Sequence, residues 1–251
     1  ALTTSNGAGS IFCFTVLRPI EKEVTDALVH LNASTYATGC DEFRFFSNVS
    51  VIPRLSQHPR CGPPQGLAQG GCVERAIKGS MDVKMASWGW YTALNTPIFV
   101  QVWGYVLDRG YHLQHAWTIK LDVNVVWRPE RLRSYLATPK IANLLNDGVT
   151  PLWGLNDFRP FSWPDALTGQ WHLIGGIEIL SRGAMQRYAE HRSLCEGRIA
   201  STYPTEDDYI EYCMRGVGAT PVHMPLLLRH GWSHTDEVAC VSCFVGYKEF
   251  S

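Results

Sequence analysis

The chain has 251 residues, with 22 Lys plus Arg against 23 Asp plus Glu. That length can bury a sizeable core, as one large domain or two tightly joined halves. The balanced charge removes the usual electrostatic case for nucleic acid or an anionic membrane surface, and no apolar stretch approaches the ~20 residues of a membrane helix. No targeting segment is visible.

There are eight cysteines: Cys13, Cys40, Cys61, Cys72, Cys195, Cys213, Cys240 and Cys243. Two sequons, Asn32-Ala33-Ser34 and Asn48-Val49-Ser50, accompany them. Together they favour an oxidising compartment, the secretory-pathway lumen or the cell exterior. Eight cysteines allow about 105 pairings. Cys13 with Cys40 and Cys61 with Cys72 are plausible bridges by their places along the chain.

In chain order, Ile11-Phe12-Cys13-Phe14-Thr15-Val16-Leu17 predicts a first buried strand, closed by Arg18-Pro19. Val24, Ala27, Leu28 and Leu31 recur at helical spacing from Glu21 onward, and Asp41–Ser47 predicts a second strand. Strand, helix and strand make a βαβ start. Residues 49–80, rich in Pro and Gly, read as a long surface excursion. Thr96-Pro97 predicts a helix start with Thr96 as cap, and Gly110 its end.

The run from Trp117 to Trp127 predicts the central strand, covered on both faces. Asp122 and Asn124 interrupt it. Two residues apart on a strand, they would share one side and could address one ligand, a hard divalent cation with a pyrophosphate. The competing reading is a strand end that turns into a loop, with Asp and Asn as turn residues. Further on, Pro129 opens a helix, residues 147–170 read as loop, and Gly175–Ser181 predicts a short strand ending on a helix cap. Ala184, Met185 and Tyr188 share the face of the helix that follows. Thr205-Glu206-Asp207-Asp208 then opens another, with Asp208 placed as in a capping box.

Other chemistry has weaker support. His230, His234, Cys240 and Cys243 are too closely spaced for a zinc finger, and an oxidising compartment favours disulfides. His112 and His115 read as ordinary hydrogen-bonded histidines. Trp88, Trp90, Trp153 and Trp163 could stack on sugar rings, although core packing explains tryptophans as well. Phosphate-loop, nucleophile-elbow and zincin motifs are absent from the sequence.

Three stretches, in order, resemble nucleotide-sugar glycosyltransferases of the GT-A fold. Asp122-Val123-Asn124 looks like their Asp-x-Asp element. Gly175-Gly176-Ile177-Glu178-Ile179-Leu180-Ser181-Arg182 is similar to the Gly-rich strand of Fringe-like and β-1,3-galactosyltransferase-like enzymes. Glu206-Asp207-Asp208 is similar to their Glu-Asp segment. The likeness covers roughly residues 11–48 and 90–245, and is greatest to algal and protist proteins of this type.

The resemblance implies a single α/β domain over residues 1–251, a Rossmann-like mixed sheet flanked by helices. It implies metal-assisted, inverting sugar transfer from a nucleotide-sugar donor to a glycan or glycoprotein hydroxyl. Asp122 and Asn124 would hold Mn²⁺ or Mg²⁺, Asp207 would be the general base and Glu206 would orient it. Thr15, Arg18, Asp41 and Glu42 would lie near the donor's base and ribose. Two positions depart from the family: Asn124 stands for a second Asp, and Val245 stands where a late metal-binding His is usual. A catalytically silent relative, acting as a structural subunit with a protein assembly partner, is the alternative expectation.

Overall fold

The computed structural model describes residues 9–33, 40–61, 72–86, 93–125, 129–144, 150–159 and 170–224. Its frame is a seven-stranded sheet: β1 Ile11–Val16, β2 Glu42–Ser47, β3 Val73–Arg75, β4 Trp117–Leu121, β5 Leu152–Leu155, β6 Ile177–Ser181 and β7 Thr220–His223. Across the sheet the order is β3-β2-β1-β4-β6-β5-β7. β6 alone runs against its neighbours; the other pairings are parallel. The fold is α/β, a mixed sheet flanked by helices, as expected.

Alternation along the strands sorts side chains into two cores, one on each side of the sheet. Ile11 and Cys13 of β1, with Trp117, Ile119 and Leu121 of β4, pack against Val24, Ala27 and Leu31 of helix α1, Glu21–Asn32. Phe12, Phe14 and Phe46 face the other way. They join Val102, Trp103 and Val106 of α2, Thr96–Arg109, with side chains of α3, Arg182–Glu190, and α4, Glu206–Gly216. Each such fully buried large side chain contributes about 1.5–3 kcal/mol of transfer free energy, so both layers are held mainly by apolar burial.

Local signals set the helix ends. Gly110 stops α2 in the left-handed region at φ 70°. The Ser181 hydroxyl accepts the Ala184 N–H at 3.2 Å and starts α3 where β6 ends. α2 begins at Thr96, with Asn95 rather than Thr96 at its cap position. Three disulfides close the described loops: Cys13–Cys40, Cys61–Cys72 and Cys195–Cys213. The first two were anticipated from chain position. Such bridges suit an oxidising compartment, and no helix among the described residues is long and apolar enough to cross a membrane.

Several expectations change. β4 stops at Leu121, and residues 122–125 form a turn in which the Val125 N–H donates to the Asp122 carbonyl at 3.1 Å. The excursion at 49–80 supplies the sheet's edge strand β3, paired Phe45↔Val73. Residues 147–170, read as loop, include β5. Trp153 is a fully buried β5 residue whose indole donates to the Ala219 carbonyl at 3.2 Å, so it offers no sugar platform. Trp88, Trp90, Trp163, His230, His234, Cys240, Cys243 and Val245 lie outside the described residues.

Candidate functional site

The site forms where β4 and β6 reach the edge at which the parallel strands end. Trp117, Ile119 and Leu121 of β4 and Ile177 and Ile179 of β6 face the α1 side. The residues between them, Lys120 and Glu178, therefore face α2 and α4, and they are direct cross-strand partners. Both are fully buried. The Lys120 ammonium lies 4.9 Å from the centre of the Phe99 ring of α2.

Four oxygens surround that ammonium. It donates to the Gly175 carbonyl at 2.5 Å and pairs with Asp122 Oδ1 at 2.6 Å, just past the end of β4. Glu206 Oε1, from the first turn of α4, also meets it. Glu178 Oε1 is farther, at 3.8 Å. Three carboxyl groups thus share one buried cation. A pairing this deep in the protein is strongly destabilised when one partner is removed, because a charge is left without compensation.

Glu178 is the anomalous member. Among the described residues neither of its carboxyl oxygens accepts a hydrogen bond. Burial first, then the neighbouring Asp122 and Asp207 carboxylates, push its pKa up to about 8, against the lowering effect of Lys120.

The surrounding elements fix Glu206 and Asp122 separately. Asn95 clamps Glu206 with both ends of its amide: Oδ1 accepts the Glu206 backbone N–H at 2.9 Å and Nδ2 donates to Glu206 Oε2 at 3.0 Å. Thr96 steadies the same approach, its N–H and hydroxyl donating to the Pro204 and Tyr203 carbonyls at 3.1 and 2.8 Å. Gly175 lets the Glu206 carboxyl come close; a Cβ there would stand 3.3 Å from Glu206 Oε1. The turn bearing Asp122 is tied to β6 by its own N–H, which donates to the Gly176 carbonyl at 3.1 Å. From α1, His30 Nε2 donates to the Val123 carbonyl at 2.9 Å, and burial lowers the pKa of that imidazole. Farther along α4, Glu211 accepts the Leu173 N–H at 2.8 Å and pairs with His172 at 3.2 Å, bracing the helix against the chain that leads into β6.

The residues anticipated from sequence do not all come together. Asp122 and Glu206 converge on Lys120. Asp207 follows, half-buried, its Oδ1 accepting the Asp208 N–H at 3.0 Å, and it is close enough to Glu178 to raise that group's pKa. The Thr205 hydroxyl, expected to accept a helix N–H, donates instead to Asp208 Oδ2 at 2.9 Å. Thr15 and Arg18 lie at the same edge, Thr15 buried in β1 and Arg18 just past it, bonded through its backbone and guanidinium to Glu23. Asn124 is exposed on the turn, so the shared strand face expected for it and Asp122 does not form.

Asp41 and Glu42 are at the opposite edge. β2 runs parallel to β1 with Glu42 level with Phe12, near the start of both strands. Asp41 accepts the Ile11 N–H at 2.7 Å and pairs with Arg133 at 2.9 Å; Glu42 pairs with Arg44 at 2.6 Å. Both carboxylates are thus occupied in fastening strand starts, away from Asp122.

Sequence reasoning missed Lys120, Glu178 and Asn95. The signal for the first two was present: each is one charged residue at an inward position of a short buried strand, Thr-Ile-Lys-Leu and Ile-Glu-Ile-Leu. Asn95 carried no comparable mark.

A divalent metal at Asp122 and Asn124 does not fit the described donors. Asp122 Oδ1 already takes the Lys120 ammonium, Asn124 is exposed on a turn, and no group of three or more His, Cys, Asp or Glu suited to a metal occurs among the described residues. A second cation about 4 Å from the ammonium would meet repulsion of roughly 4 kcal/mol per unit charge at an effective dielectric near 20.

No family model matches the chain, and no curated protein does. Among solved structures it is similar to one described as a "crystal structure of a glycosyltransferase involved in the glycosylation of the major capsid of PBCV-1". The sequence identity is 11%, the TM-score 0.44, and the match covers 87% of this chain and 83% of that one.

Proposed function

We propose that this protein is a glycosyltransferase-like enzyme that moves a sugar from a nucleotide-sugar donor to a hydroxyl of a glycan or glycoprotein. One observation carries the reading. The three stretches that resemble such enzymes, distant in sequence, meet at a single ammonium: Asp122 from the first, Gly175 and Glu178 from the second, Glu206 from the third.

In this reading the donor lies over the strand-end edge between Arg18 and Asp122. Asp207, at the start of α4, accepts the proton of the acceptor hydroxyl as that oxygen attacks the anomeric carbon, and the nucleoside diphosphate leaves. Glu206 cannot serve as base in its present bonding, since Asn95 and Lys120 hold its carboxyl; it sets the position of Asp207. Inversion at the anomeric carbon is taken from the resemblance. A luminal or extracellular setting would suit both the disulfides and a glycoprotein acceptor.

The test is release of nucleoside diphosphate from UDP- and GDP-sugars in the presence of simple saccharide acceptors. Asp207→Asn is expected to lower kcat at least 100-fold while leaving nucleotide affinity within a few-fold, the pattern of a lost general base. Folded protein that binds no nucleotide in calorimetric titration would sink the proposal. It would leave the silent structural subunit with an assembly partner, a reading favoured by the internal pairing of Asp122 with Lys120.

A further inference from the structure

We propose that Lys120 is the resident cation of this site: its ammonium, in place of a divalent metal, gathers the carboxyl groups of Asp122, Glu178 and Glu206 at the edge of the sheet. The inference rests on the site assigned above and deepens that reading by naming what organises it.

Each oxygen around the ammonium comes from a different segment. Asp122 stands just past β4, the Gly175 carbonyl just before β6, Glu178 within β6 and Glu206 in the first turn of α4. A lysine ammonium has three N–H donors and no acceptor. The Gly175 carbonyl accepts one of them, Asp122 and Glu206 are the close ion partners, and Glu178 is a charge neighbour farther off at 3.8 Å. Carboxylates and a backbone carbonyl are the oxygen types a hard divalent cation takes, but here they are spaced around an ammonium, with Glu178 Oε1 at 3.8 Å, and not around a metal. Here the protein supplies the positive centre itself. Lys120 is fully buried, with the Phe99 ring on one side, so the ammonium is fixed in place.

The exchange has a specific consequence. With Lys120 in place its ammonium occupies the centre of these oxygens and keeps a second cation out. Shortening Lys120 to alanine leaves the same four oxygens facing a vacated volume, on which they can close around a divalent cation. Glu178 matters most here, because both its oxygens are buried and neither accepts a hydrogen bond among the described residues.

Two measurements test this without a nucleotide or a sugar. In the first, Mn²⁺ is titrated calorimetrically into wild type and into Asp122→Asn. No Asp122-dependent binding is expected in wild type; Mn²⁺ binding that Asp122→Asn abolishes would overturn the proposal. In the second, Lys120→Ala is purified or refolded with and without Mn²⁺. The expected result is Mn²⁺ affinity at least 10-fold above wild type, or folding that requires Mn²⁺, lost again in Lys120→Ala combined with Glu178→Gln. A Lys120→Ala protein that neither gains Mn²⁺ binding nor folds better with Mn²⁺ would overturn it. Failure of the transferase reading would leave both results as they are, since neither measures transfer.

Discussion

Glu178 makes protein stability depend on pH in a direction opposite to that of a salt-bridged carboxylate. Its pKa rises from the ordinary 4.5 to about 8 in the folded protein. Between these values the folded state holds a proton that the unfolded state releases, so stability falls as pH rises through the window. The full contribution is present below about pH 4.5 and is gone above about pH 8. The loss should be on the order of a few kcal/mol. Glu178→Gln keeps the shape of the protonated acid and cannot ionise. Urea unfolding at pH 5, 6.5 and 8 should show stability falling in wild type and a flatter profile in the variant. Equal slopes would mean that Glu178 titrates normally.

At the scale of elements, the start of α2 and the start of α4 act as one joint. Asn95 satisfies a backbone N–H and a carboxyl oxygen of Glu206 at once. Asn95→Ala should cost about 1–3 kcal/mol, the penalty for buried groups left without partners. It should also lower any transferase kcat more than it changes KM, because Asp207 is the next residue. A loss of stability with an unchanged kcat would make the joint purely structural. The far side of α4 is fastened by Cys195–Cys213 to the Leu194–Ile199 turn. Replacing both cysteines by alanine should cost about 3 kcal/mol through the freed loop, read as a lower midpoint in chemical unfolding. Little change would mean that packing of Tyr209, Ile210 and Met214 holds the helix alone.

For the molecule as a whole, two cores share one sheet, and residues of every long strand contribute to them. Near-ultraviolet and far-ultraviolet circular dichroism should therefore report coincident thermal transitions, displaced to lower temperature by a reductant. Separate transitions would divide the chain into units. Much of this architecture was legible in the sequence. β1, α1, β2, α2, β6, α3 and α4 follow from apolar periods with Gly, Ser and Pro punctuation, because burial on one face leaves a regular mark. β3 and β5 did not stand out; they are short and embedded in Pro- and Gly-rich stretches that look like loop. At the site, Asp122 and Glu206-Asp207 were readable as motifs. Lys120 left a signal, a charge at an inward position of a buried strand, but its meaning depends on the cross-strand partner Glu178, which only the pairing of β4 with β6 supplies. Asp41 and Glu42 were misplaced because acids at a strand start carry no sign of which edge they occupy; only the parallel pairing of β1 with β2 decides it.

The reversed strand β6 has a consequence for how the protein is made. It sits between β4 and β5, yet both of those precede it in the chain. While the polypeptide emerges from the ribosome, one edge of β4 therefore stays open until residues 177–181 have been synthesised, with Lys120 beside it and Glu178 still to come. The nascent sheet closes by insertion rather than by addition at its rim, a non-local step of the kind that slows folding. An open apolar edge held that long is a natural point of engagement for the chaperones of whichever compartment folds the chain.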